Sequence, residues 1–168
     1  NRYCGLINDN DIDQTVRVAG WIENIRDHGG VIFVDLRDEK GIVQLVSNDD
    51  NMFNDLTRES TITVLGTVRK RNEEDYNNRI ETGKLEIVVT ELEVLGKSKN
   101  ALPFEVVTSH EVNEEVRLKY RYLDLRNPKI HDNLVLRSKV LNFLRNKMDS
   151  LSFTEVQTPI ISTSSPEG

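Results

Sequence analysis

Five strand-like segments in the first hundred residues, at roughly 14–22, 31–37, 42–47, 61–69 and 84–95, constrain the fold more than any other feature of this chain. Each is rich in Val, Ile, Leu and Thr, alternates apolar with polar side chains and is flanked by turn-forming residues, which is the pattern of short half-buried strands. One helix candidate interrupts them: NMFNDLTRES, 51–60, where Met52, Phe53 and Leu56 fall on one helical face. The order is strand, strand, strand, helix, strand, strand. In the fifth segment Leu85, Ile87 and Val89 alternate, and the pattern resumes at Leu92 and Val94 one residue out of phase. A bulge near Thr90 and Glu91 restores the inward facing and bends the strand, as a closing sheet requires.

This order predicts a mainly β chain led by a five-stranded barrel of the oligonucleotide/oligosaccharide-binding type, the OB-fold, in which strands 2 and 3 present the ligand face. RNEEDYNNRIETG, 71–83, is polar and reads as a mobile loop, and GKSKNALP, 96–103, reads as a linker out of the barrel. A different pattern follows. Asn127 and Pro128 form a helix start, Asn as cap and Pro in the first helical position. Ile130, Leu134, Val140, Leu141, Leu144 and Met148 continue as an apolar stripe too long for a barrel accessory helix, so this helix belongs to a second domain. SFTEVQTPII then alternates as a strand reaching Pro159, which cannot donate to a ladder and so belongs at an edge or an irregular end.

The second and third strands meet in GVIFVDLRDEKGIVQLV, residues 30–46. With Asp38 to Gly41 as the loop, Arg37 faces Ile42, Leu36 faces Val43 and Asp35 faces Gln44. The pleat sends Ile32, Val34, Leu36, Val43 and Leu45 to the core, and Phe33, Asp35, Arg37 and Gln44 to the other side. Phe33 lies diagonal to Gln44, so both reach one object. An outward aromatic beside an amide that donates and accepts suits a splayed nucleobase, stacked by the ring and matched at its edge by the amide. Arg26 adds a phosphate or base contact, and Gly29 and Gly30 leave room for close approach. The competing reading is that Phe33 packs under a loop and Gln44 is a solvated strand residue.

Composition narrows the class without naming the function. With 37% hydrophobic and 30% charged residues the chain is of ordinary globular type. No run approaches the roughly 18 apolar residues that span a bilayer, and no secretory leader pattern opens the chain, so a soluble cytoplasmic protein is expected. Cys4 is the single cysteine, which excludes an internal disulfide and a cysteine-cluster metal site; His28, His110 and His131 are too scattered to point to a metal. The net charge is −6, with the acidic excess confined to the first hundred residues, so a polyanion can bind only through a local basic patch. Arg69, Lys70 and Arg71 are the obvious cluster, though a solvated strand end is the better account of them. In LKYRYLDLR, 118–126, Tyr120 and Tyr122 read as buried anchors flanked by ion pairs. The chain begins without Met and stops at Pro166, Glu167 and Gly168 with no element completed, and reads as a fragment.

Longer stretches carry a family likeness. GWIENIRDHGGVIFVDLRDEKGIVQLV resembles the anticodon-binding barrel of bacterial-type aspartyl-tRNA synthetases, and VRLKYRYLDLRNP, 116–128, resembles the segment joining that barrel to their catalytic domain. FTEVQTPIISTSSPEG resembles motif 1 of class II synthetases running into an aspartate-specific TPEG element. The resemblance implies an OB-fold anticodon-binding domain over 1–100, a hinge over 101–127 and the start of the class II α+β catalytic domain over 128–168. It implies that Phe33 stacks on an anticodon base, that Gln44 reads the central uridine and that Arg26 and Asp27 read its neighbour. His28 occupies the position that influences whether tRNA(Asn) is accepted beside tRNA(Asp). Glu167 matches the glutamate that holds the amino group of L-aspartate, and the segment ending at Pro159 builds a homodimer interface. The full-length enzyme would use ATP and Mg²⁺; this piece, lacking motifs 2 and 3, is expected to hold no catalytic residue and to be inactive. A rival from another class is a non-catalytic OB module for single-stranded nucleic acid, which leaves the second half unexplained. Lysyl- and asparaginyl-tRNA synthetases share the architecture and are the nearer alternative.

Overall fold

A computed structural model describes residues 1–49, 51–99 and 102–158 of the chain, which divides into two compact units, Asn1–Ala101 and Leu102–Gly168. The first is a closed five-stranded barrel. Its strands are β1 (Thr15–Asp27), β2 (Ile32–Asp38), β3 (Gly41–Ser47), β4 (Thr61–Lys70) and β5 (Leu85–Gly96), arranged β1-β2-β3-β5-β4 with β4 returning to β1. All contacts are antiparallel except β3 with β5, which run parallel. The barrel is filled by the inward positions of each strand, among them Val18, Ile22, Val34, Leu36, Val43, Leu45, Ile62, Val64 and Ile87, all without solvent exposure or nearly so. Cys4 and Ile7 from the N-terminal turns and Phe53 and Leu56 from the β3–β4 connection complete the core.

The β2–β3 hairpin has the register expected from its pleat: Arg37 pairs with Ile42, Leu36 with Val43 and Asp35 with Gln44. The bulge in β5 also falls where the phase slip places it, since Leu65 pairs with Glu91 and Gly66 with Val89, leaving Thr90 as the extra residue. Thr90 Oγ1 donates to the Leu65 carbonyl at 3.0 Å and ties the bulge to β4. β1 runs five residues beyond the expected end at 22 and carries its own irregularity between Ile22 and Asn24.

Several expectations fail for identifiable reasons. Residues 51–60 form turns, not a helix: their amides bond three residues back, Met52 to Asp49, Asn54 to Asn51 and Leu56 to Phe53, and Asp55 and Glu59 take left-handed φ of 61° and 65°. An Asx-type bond, Asn51 N donating to Asp49 Oδ1 at 2.9 Å, offers the backbone an alternative to helix, while Phe53 and Leu56 still reach the core. The 71–83 segment, read as a mobile loop, is fastened instead. Arg71 N donates to Lys84 O, Asn77 N to Gly83 O, and Thr82 Oγ1 to Ile42 O at 2.5 Å.

In the second unit α1 (Glu114–Lys119) and α2 (Arg121–Asp124) lead into α3 (Pro128–Ser150). Asn127 caps α3 by accepting from Lys129 N at 3.0 Å, while its buried Nδ2 donates to the Val106 and Val107 carbonyls. Phe104, Val106 and Leu123 form a small core, and Arg117 grips the buried Asp124 through two hydrogen bonds of 3.0 and 3.3 Å. Tyr122, expected to be buried, is 60% exposed; Tyr120 alone packs against that core. No described residue of α3 is buried, Leu141 and Leu144 included. Residues 153–158 form no strand, because no neighbouring ladder is offered to them among the described residues; Pro159 and Glu167 lie outside those residues. No helix among the described residues is long and apolar enough to cross a membrane.

Candidate nucleic-acid interface

Lateral pairing in the barrel places Asn24, Asp35, Gln44, Glu86 and Arg69 in one row across β1, β2, β3, β5 and β4. Phe33 and Arg26 form the next outward pair along β2 and β1. Over this row opens a cleft of about 650 Å³ lined by Arg26, His28, Phe33, Gln44, Arg69, Lys70, Arg71, Asn72, Asp75 and Glu86. Arg71, Asn72 and Asp75 belong to the 71–83 segment, which is held to the barrel.

Inside the cleft the polar groups form a continuous chain. Arg26 Nη2 donates to Asp35 Oδ1 at 2.8 Å and to Gln44 Oε1 at 3.4 Å; Gln44 Nε2 donates to Glu86 Oε2 at 2.9 Å; Arg69 Nε donates to Glu86 Oε1 at 2.7 Å. Arg71 Nε lies 3.9 Å from Glu86 Oε2 and is buried with no hydrogen bond of its own. Burial pushes the Asp35 carboxyl above its ordinary range, although the charges of Arg26 and Arg71 pull it the other way. Four cations of the lining, Arg26, Arg69, Lys70 and Arg71, thus face two carboxylates, Asp75 and Glu86, with Asp35 paired to Arg26 beside them. In a chain of net charge −6 this is a local reversal of sign.

Phe33 remains partly exposed, with the His28 ring set edge-on to it at 5.7 Å and 76°. Both rings sit beside a turn in which Gly29 and Gly30 take φ of 66° and 94° and would leave open space even around a Cβ, so a flat ligand can come close to the backbone. Gln44 is only 4% exposed, held on both sides of its amide, and is no solvated strand residue. Asp27 lies outside the cleft lining; its Oδ1 accepts from Gly30 N at 3.2 Å and shapes the turn. Arg37, on the same strand face, is closed off by ion pairs to Glu23 and to Glu59, the latter at 2.6 Å.

Glu86 is the residue that sequence reasoning missed. Its position between Leu85 and Ile87 marks it as outward-facing, but its meeting with Gln44, 42 residues away, depends on the parallel β3–β5 contact that closes the barrel, and no hairpin register reports that contact. Arg69 and Arg71 are likewise more than a solvated strand end, since both converge on Glu86.

Residues 16–95 match the family model described as the OB-fold nucleic acid binding domain, and residues 113–168 match that of the class II tRNA synthetases (D, K and N). The chain is 47% identical over 98% of its length to an aspartate–tRNA(Asp/Asn) ligase of Rhodopseudomonas palustris strain BisB18, and 46% identical over the same share to an aspartate–tRNA ligase of Streptomyces griseus. It spans about 28% of the length of each. The crystal structure of an asparaginyl-tRNA synthetase from Pyrococcus horikoshii, complexed with asparaginyl-adenylate, superposes with a TM-score of 0.78 at 28% identity, over 95% of this chain and 36% of that one.

Proposed function

This chain belongs to the class II tRNA synthetases (D, K and N), and from that premise we propose that its barrel reads the anticodon of tRNA(Asp) for a cytoplasmic aspartate–tRNA ligase. The observation that carries the reading is the pairing, in one cationic cleft on the β2–β3 face, of a partly exposed Phe33 with a buried, oriented Gln44. Phe33 stacks on a base that has left the anticodon stack. Gln44 keeps one amide hydrogen and one oxygen lone pair beyond its bonds to Glu86 and Arg26, and that donor–acceptor pair matches the carbonyl and imino edge of a uracil. Lys70, Arg71 and Arg69 border the path of the phosphates, while His28 and Arg26 flank the neighbouring base. Asp27 acts by shaping the turn. His28 stands where the accepted tRNA is decided, and the Rhodopseudomonas relative named for both tRNA(Asp) and tRNA(Asn) supports tRNA(Asn) as a second substrate.

In the same reading the domains divide as 1–100 for anticodon binding, 101–127 as hinge and 128–168 as the start of the catalytic domain, supported by the class II match over 113–168. The exposed apolar residues of α3 would be covered in the full-length homodimer, with Pro159 in the interface segment, and Glu167 would hold the ammonium group of L-aspartate. Class II synthetases use ATP, and Mg²⁺ supplies charge neutralisation at its phosphates. Among the described residues no cluster of three or more carboxylate, histidine or cysteine side chains fits such an ion.

Titration with a labelled anticodon stem-loop of tRNA(Asp), and with the same stem-loop substituted at its central base, tests the proposal. The matched loop should bind more tightly. Equal affinity for the two would overturn anticodon reading by this cleft.

A further inference from the structure

The Gln44 amide has two ends that look alike in shape and opposite in chemistry, so a cleft that reads a base edge with it must decide which end points where. Two neighbours make that decision. Arg26 carries only donors and Glu86, when ionised, only acceptors, so a single orientation satisfies both: Oε1 toward Arg26 and Nε2 toward Glu86. Glu86 is itself fixed by Arg69 at 2.7 Å. Arg26 is the looser side, because its side chain is 39% exposed and its bond to Gln44 is long at 3.4 Å. What holds the guanidinium over the amide is Asp35, whose Oδ1 takes the same Nη2 at 2.8 Å.

We propose that Asp35 is a positioning residue: by holding Arg26 against Gln44 Oε1 it fixes which end of the Gln44 amide donates and which accepts, and so sets the polarity with which the cleft reads its base. Asp35 pairs directly with Gln44 across β2 and β3, so the carboxylate approaches the amide from the neighbouring strand and reaches it through the guanidinium. Placing a carboxylate there is unfavourable in itself, as its raised pKa records, and a barrel built for stability alone gains little from it. Without the carboxylate, Arg26 is free to swing into the solvent or onto a phosphate, and the amide can turn over while Phe33 still stacks.

The inference rests on the anticodon reading, and its test separates the two. In the native chain, matched and centrally substituted stem-loops should bind with different affinities; if they do not, the anticodon reading itself fails. Given that discrimination, Asp35→Asn and Asp35→Ala should lower the ratio of matched to substituted affinity by about tenfold, the effect of losing the orientation supplied by one charge-assisted hydrogen bond. Native discrimination in both variants would overturn the positioning role. A second variant covers the case in which these do not fold: Arg26→Ala removes the half-exposed guanidinium through which Asp35 acts and should lower the same ratio by a similar factor. Native discrimination in Arg26→Ala would likewise overturn the proposal.

Discussion

At the scale of single residues, the proposed reading divides affinity from choice between Phe33 and Gln44. Phe33→Ala should weaken stem-loop binding by about 1–3 kcal/mol, the range for losing one base stack, with matched and substituted loops affected alike. Gln44→Ala should instead bring the two loops together in affinity, and parallel titrations of both variants check the division. Both roles follow from neighbours that differ in legibility. Phe33 and Gln44 share a face within one hairpin, and the pleat alone reveals it, whereas Glu86 joins them only through barrel closure. Asp124 offers a pH prediction of a structural kind. Burial pushes its carboxyl up, the twin bonds from Arg117 outweigh that, and the group ends below the ordinary carboxylate range. A depressed folded-state pKa contributes stability above the unfolded value and loses it as pH falls through the folded one. Asp124→Asn should therefore lower the protection of the Arg126 and Asn127 amides by about 1–3 kcal/mol at neutral pH and by little in acid, as read by hydrogen exchange.

Among the elements, β5 does the most to shape the cleft, because it alone pairs in parallel with β3 and carries Glu86 to Gln44. Its bulge at Thr90 lies opposite the Leu65–Gly66 step of β4, where the two strands press closely. A Cβ on Gly66 would fall on the Val88 carbonyl oxygen and against the Ile87 side chain, so Gly66→Ala should destabilise the barrel by about 1–3 kcal/mol, the usual cost of overpacking, and thermal unfolding should show it. The bulge itself was readable because Leu92 repeats the phase of Val89 one residue late. Residues 51–60 were misleading for a related reason: apolar residues spaced three and four apart suit a helix, but successive turns bonded three residues back also bring Phe53 and Leu56 to the core. Likewise SFTEVQTPII alternates like a strand, yet alternation cannot pair a strand, and residues 153–158 find no ladder among the described residues.

The whole molecule sets an acidic field around a basic cleft. Its net charge of −6 opposes approach of RNA, so binding must depend on short-range cations and weaken steeply with salt. Lys70, exposed at the end of β4 and bordering the cleft, should act through phosphate. Lys70→Ala should weaken all stem-loops alike and reduce the salt slope by about 1, in contrast to Gln44→Ala. Catalysis divides from binding at a similar boundary. Forming an aminoacyl adenylate requires preorganised cations where negative charge develops on the α-phosphate. The described part of Leu102–Gly168 offers instead a small core around Phe104, Val106 and Leu123 and a long helix with its apolar residues in solvent. The chain also spans only about 28% of its relatives' length. Stem-loop binding, which needs only the barrel, should therefore persist in this chain while aspartate-dependent pyrophosphate exchange stays at background. Both can be measured on one sample freed of host synthetase. Exchange above background would mean that the second unit assembles an active site from residues that here lie apart.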